Sequence, residues 1–195
     1  TMHIAIFETI NTYTPKMRHL FKLYILGFFL LVSHSLSASH VPGGNLTYQC
    51  LGNNQFRVTL TLYEDCGTAF ASSSDETIDV TSDCGHNLTM TLTNTIYQQE
   101  ISQLCPSSMG QSECNGGNLP GIYMHQWSGI ITLPAQCDNW RFEFDDCCRN
   151  SSSNLVGSSS DYYFYADLNN LDSPCNSSPT ITAPPIPYYC VNKPV

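Results

Sequence analysis

The chain has 195 residues, sixteen acidic against seven basic, a net charge of −9 and ten cysteines. That length supports one ordinary domain once a targeting segment is set aside. Beyond residue 40 only Arg57, Arg141, Arg149 and Lys193 remain as cations, whereas Glu8 is the one acid before that point. A surface so anionic repels phosphate backbones and acidic headgroups, which disfavours nucleic-acid binding and basic-patch membrane binding.

From Met17 the sequence reads as a Sec signal peptide over 17–39. A basic start (Arg18, His19, Lys22) precedes an apolar run over 23–32 and a stretch of small polar residues. The run falls short of the roughly 20 residues that a spanning helix needs. Ser35/Ser37 or Ser37/Ser39 suit the small-residue positions before a cut, so the mature chain is expected to start at Ala38 or His40. Residues 1–16 precede the start methionine of this signal and read as upstream translation rather than protein.

After residue 40 the periodicity is two. Phe56, Val58, Leu60 and Leu62 alternate with Arg57, Thr59, Thr61 and Tyr63, the signature of a half-buried strand. The pattern recurs with Leu88, Met90 and Leu92 against Thr89, Thr91 and Thr93, and with Trp140, Phe142 and Phe144 against Arg141, Glu143 and Asp145. It appears once more with Tyr162, Phe164, Ala166 and Leu168 against Tyr163, Tyr165 and Asp167. Weaker strand candidates cover 46–51, 77–82, 96–104, 122–133 and 188–192.

Turn signals separate these runs, among them Gly52-Asn53-Asn54, Asp83-Cys84-Gly85 and Asn115-Gly116-Gly117. Glycine and asparagine tolerate positive φ, so each cluster can reverse the chain. No segment carries an amphipathic helical stripe. Together these features predict an all-β, disulfide-rich, Ig-like antiparallel β-sandwich over 40–195. The serine-rich stretch 151–160 reads as a loop. Five prolines between residues 173 and 187 keep that stretch out of a central strand, so the C-terminal end, about 173–195, should wrap a sheet edge or lead to a further domain.

Cys50, Cys66, Cys84, Cys105, Cys114, Cys137, Cys147, Cys148, Cys175 and Cys190 all follow the signal segment, an even number. None has the two-to-four-residue spacing of a zinc ribbon or a thioredoxin-like site, so disulfides in an oxidising compartment are expected. Ten cysteines permit hundreds of pairings. Cys105 with Cys114, closing a short loop around Pro106 and Gly110, is the best single guess. If the strand through Phe144 continues, Cys147 and Cys148 point to opposite faces and serve two different bridges.

Motifs of catalysis are absent. Lys193 is the one lysine after the signal, which excludes a P-loop, and neither a dinucleotide fingerprint, His-Glu-x-x-His nor Gly-x-Ser-x-Gly occurs. His40, His86 and His125 are the remaining candidate bases, and a strand or surface role is the plainer reading of each. The adjacent acids Glu64-Asp65, Asp75-Glu76 and Asp145-Asp146 point to opposite strand faces, so no pair forms a catalytic dyad alone. Such acids could hold a structural calcium ion, although no twelve-residue calcium loop is present. Tyr63, Tyr163 and Tyr165, on strand faces expected to be exposed, could stack on sugar rings. The expectation is therefore a non-enzyme without a required cofactor. Asn45, Asn87, Asn150 and Asn176 stand in acceptor motifs for N-glycosylation.

Several stretches carry a family resemblance. Gly43-Gly44-Asn45-Leu46-Thr47-Tyr48-Gln49-Cys50 and Val58-Thr59-Leu60-Thr61-Leu62-Tyr63-Glu64-Asp65-Cys66 are followed by Cys114-Asn115-Gly116-Gly117-Asn118-Leu119-Pro120-Gly121. Further on come Leu133-Pro134 to Cys137 with Trp140, Cys147-Cys148-Arg149-Asn150, Pro174-Cys175-Asn176 and Cys190-Val191-Asn192. The chain resembles, over about 40–195, an N-terminal cysteine-rich domain of large exported proteins of Bacteroidota. Those proteins continue into PKD-type or other Ig-like repeats and end in a gliding-motility-associated C-terminal domain for type IX secretion. The resemblance implies a secreted or outer-cell-surface module of adhesive or structural function. Its partners would be a surface glycan or protein and downstream repeats of the same polypeptide, without direct membrane insertion after signal cleavage. It carries over no catalytic residues. The alternative reading is a carbohydrate-binding module that uses the exposed tyrosines, with or without calcium.

Overall fold

The computed structural model describes residues 41–67, 74–147 and 161–181. Seven strands account for nearly all of its regular structure: β1 (Gly43–Gly52), β2 (Gln55–Asp65), β3 (Glu76–Ser82), β4 (Asn87–Glu100), β5 (Ile122–Thr132), β6 (Trp140–Asp146) and β7 (Tyr162–Leu168). All pair antiparallel, in the order β1-β2-β5-β4-β3-β6-β7. The expected all-β, disulfide-rich architecture is the one the chain adopts.

Alternation sets the faces. Phe56, Val58, Leu60 and Leu62 of β2 are buried, as are Ile78 and Val80 of β3 and Trp140, Phe142 and Phe144 of β6. They join Trp127, Leu92 and Leu168 in a single apolar core. Each fully buried large side chain contributes about 1.5–3 kcal/mol. The β1–β2 reversal runs through Gly52, Asn53 and Asn54, all at positive φ (90°, 51° and 56°), the conformation for which those residue types suit.

β4 is where the sheet folds over on itself. Up to Leu92 it pairs with β3, and from Thr93 onward with β5. The register slips between Asn94 and Ile96 and again between Ile96 and Gln99, and Gln98 lies between them at φ 51°. Such irregularities bend and twist a strand, which lets one strand serve two sheets. On the side away from β4 the outermost strands meet: the Tyr48 hydroxyl of β1 donates to the Asp167 carbonyl of β7 at 2.9 Å, and its ring lies 5.7 Å from that of Phe142.

Disulfides tie the remaining pieces down. Cys50–Cys175 joins β1 to the segment after β7, Cys66–Cys114 joins the end of β2 to the β4–β5 connection, and Cys84–Cys137 joins the β3–β4 turn to the loop before β6. The expected Cys105–Cys114 bridge does not form. That stretch holds two short 3-10 turns, Pro106–Gln111 and Glu113–Asn115, instead of a simple loop closed on itself. The second turn sets Cys114 beside Cys66, whose N–H donates to the Gly121 carbonyl at 3.0 Å. Cys105 and Cys147 are also disulfide-bonded, and no described cysteine is free. β6 stops at Asp146, so Cys147 lies past the strand. The signal segment, the 151–160 stretch, the 188–192 candidate, Cys148 and Cys190 fall outside the described residues.

The proline-containing segment after β7 runs along the edge of β1, as its composition suggested. Ser178 N–H donates to the Tyr48 carbonyl at 3.0 Å, while the Tyr48 and Cys50 amides donate to the Ser178 and Ser177 hydroxyls at 2.9 and 3.0 Å. Backbone groups that an open edge would offer to another chain are thereby occupied. No helix among the described residues is long and apolar enough to cross a membrane.

Candidate ligand-binding surface

β7 turns Tyr162 and Leu168 into the core and Tyr163, Tyr165 and Asp167 outward. Tyr163 and Tyr165 are about half exposed, at 50% and 53%, and their ring centroids stand 5.6 Å apart at 31°. The register brings Glu143 of β6 opposite Tyr165 and Arg141 opposite Asp167. Arg141 holds the Asp167 carboxylate through two hydrogen bonds, Nε–Oδ1 at 2.6 Å and Nη2–Oδ2 at 3.0 Å, and its guanidinium carbon lies 4.6 Å from the Tyr165 ring centre. The Tyr163 hydroxyl donates to Glu143 Oε1 at 2.9 Å.

These contacts fix the two rings without covering the whole platform. The hydrogen bond that Arg141 donates to Asp167 raises the Arg141 pKa, so the guanidinium stays charged. Tyr163 is raised by partial burial and by the bond to Glu143, against the opposing charge of Arg141, and so keeps its proton as donor. Two neighbouring phenol rings beside a guanidinium and carboxylates provide apolar faces together with polar groups able to meet sugar hydroxyls.

Tyr63 is not part of this platform. It lies on the outward face of β2 in the other half of the sheet, between Gly43 and Met124, and is 6% exposed. The expectation of an exposed Tyr63 is corrected because β2 is a central strand with neighbours on both sides. Asn45 Nδ2 donates to its hydroxyl at 3.4 Å, and burial raises its pKa against that hydrogen bond.

The adjacent acids divide between faces as expected. Asp145 pairs with Tyr163 in the outward ladder, whereas Asp146 accepts hydrogen bonds from the Tyr162 hydroxyl and Cys147 N–H. Glu64 departs from the calcium-ligand reading. It is 1% exposed and meets His125, itself fully buried, with Oε2 2.8 Å from Nε2. The His125 ring stacks at 6.0 Å on Trp127 and meets Tyr97 edge-on at 5.3 Å. His86 stacks on Trp140 at 5.3 Å. Asp83, Cys84 and Cys137 bring potential ligand atoms within 4.8 Å of one another, but the two sulfurs are bonded to each other and are not thiolates.

Buried phenols make stability pH-dependent. Tyr162 is pushed well above the ordinary phenol range, first by burial and then by the Asp146 charge, and burial likewise raises Tyr48. A raised folded-state pKa means that the unfolded chain loses its protons first as pH rises. Stability is therefore full below about pH 10 and falls as pH climbs toward the folded-state values. Thermal unfolding followed by circular dichroism should show that decline between about pH 10 and 12, and Tyr162→Phe should flatten it. An unchanged slope in the variant would remove Tyr162 as its source.

Comparisons with protein-family models, with curated proteins and with solved structures gave no match.

Proposed function

We propose that this chain is an exported, non-catalytic adhesive module of a larger bacterial surface or secreted protein. The carrying observation is covalent: three disulfides between elements far apart in sequence staple a single folded sheet. Such cross-links suit an oxidising exterior, where a protein meets proteases and shear rather than chaperones. The resemblance over 40–195 to domains of exported Bacteroidota proteins supports the same reading. Mass spectrometry of the natively produced protein, alkylated without reductant, tests it together with cell fractionation. Bridged cysteines in the surface or medium fraction are expected, and free thiols in a cytoplasmic protein would defeat the proposal.

Adhesion to carbohydrate is the more specific form, favoured by the Tyr163–Tyr165 platform. A glycan array probed with and without a chelator should reveal ligands whose binding weakens about tenfold or more in a Tyr163→Ala/Tyr165→Ala double variant, because aromatic contacts of this size are worth about 0.5–1.5 kcal/mol each beyond the area they bury. Loss of binding in the chelator arm would add calcium to the mechanism. An array without hits leaves adhesion to protein as the working reading.

A further inference from the structure

The outward face of the other half of the sheet carries a second feature, independent of the tyrosine platform. A groove of about 670 Å³ runs across β1, β2 and β5, within the range of roughly 300–1,000 Å³ usual for small-ligand sites. Its floor is a grid set by register: Asn45 opposite Thr61, Thr47 opposite Thr59, Gln49 opposite Arg57, and Thr61 opposite Gln126. Its near wall is the segment through Ser177–Ile181, anchored by Cys50–Cys175 and by the serine contacts to β1.

Two properties of this groove depart from the rest of the molecule. In a chain with sixteen acids and seven basic residues, no aspartate or glutamate lines it, and Arg57 is its one cation. Arg57 is exposed and forms no ion pair among the described residues, unlike Arg141. The floor groups are also weakly committed. Asn45 to Tyr63, Thr47 to the Thr59 carbonyl, and Gln126 to Thr61 are bonded at only 3.3–3.4 Å, near the limit of a useful hydrogen bond. These amides and hydroxyls can exchange partners at little cost.

We infer that the groove binds an acidic saccharide, with Arg57 taking a sugar carboxylate and the partly exposed Asn45, Thr47 and Gln126 side chains meeting ring hydroxyls. Sugar hydroxyls both donate and accept, as do the amides and hydroxyls of the floor. A guanidinium without a carboxylate of its own supplies the complementary charge. An extended peptide adding to β1 is disfavoured, since the tail already occupies that strand's edge.

Calorimetry of the full chain with trigalacturonate, and with its methyl ester as the neutral control, tests the inference. The free acid should bind, the ester about tenfold or more weakly, and Arg57→Gln should reproduce that loss while Arg57→Lys retains part of the affinity. Tyr163→Ala/Tyr165→Ala should leave this binding unchanged, so failure here and failure of the platform are separate results. Arg57 is exposed, and an unaltered circular dichroism spectrum would show that its variants fold. The inference is overturned by no binding at millimolar concentration, by equal affinity for acid and ester, or by an inert Arg57→Gln. It is overturned as well if binding appears only when residues after Ile181 are removed, since the chain's own tail is then the occupant.

Discussion

Replacing both Cys50 and Cys175 by serine should lower stability by about 4 kcal/mol, one of the two largest losses expected of a local change in this chain. The bridge spans a sequence separation of 125, and in the chain-entropy account the constraint on the unfolded state grows with the closed loop. For a domain of this size the loss corresponds to a fall in Tm of about 10 °C. A second effect follows from the location of the bridge. Without it the tail is held to β1 mainly by Ser177 and Ser178, and its release frees the Tyr48 and Cys50 amides of the edge. Thermal melts should therefore show the lower Tm together with concentration-dependent association. A melt within about 2 °C of the parent would show that the tail is held by its hydrogen bonds alone.

Glu64→Ala should destabilise the fold by about 3–5 kcal/mol. The carboxylate is 1% exposed, and its removal strips the buried His125 of a partner at 2.8 Å while opening a void beside it. Glu64→Gln, which can keep a hydrogen bond to the ring, should cost markedly less. Denaturant unfolding of both variants measures the difference. Equal losses would mean that side-chain volume, not the contact with His125, is what Glu64 supplies.

Glu64 also shows how far the sequence can be read. It continues the Phe56, Val58, Leu60, Leu62 series in phase, so its inward direction follows from the same alternation that places those residues in the core. The acid-pair reading instead offers it as a candidate calcium ligand. His125 lies opposite Leu62 on the neighbouring strand, a register that no local pattern reveals. Strands β2, β6 and β7 were legible because period two fixes a face without any knowledge of partners. The same logic placed Tyr163 and Tyr165 on an exposed strand face, where they lie.

What was hidden depended on contacts between remote segments. β4 was legible in its first half, through Leu88, Met90 and Leu92, but its transfer to β5 rests on the irregularity around Gln98, a residue type with no marked preference for positive φ. Cys114 was assigned to its nearest neighbour in sequence. Two consecutive 3-10 turns, too short to show a helical period, face it toward Cys66 instead. Tyr63 has the same pattern as Tyr163, yet lies on a central strand flanked by β1 and β5, whereas Tyr163 and Tyr165 lie on β7, which among the described residues pairs only with β6. The groove with Arg57 was out of reach for the same reason, since its floor comes from three strands and its wall from a tail that only the fold brings alongside.

The Cys50–Cys175 bond joins the first strand to the segment that leaves the last, and this governs how the molecule answers tension. Pulled through its two termini, the chain would carry the load from one cysteine directly to the other, across a covalent shunt that bypasses the strands between them. Only the polypeptide outside that shunt could lengthen, so the Tyr163–Tyr165 face on β6 and β7 would keep its shape under drag, whereas β1 up to Gln49 and the segment after Cys175, which form part of the groove, would take up the extension.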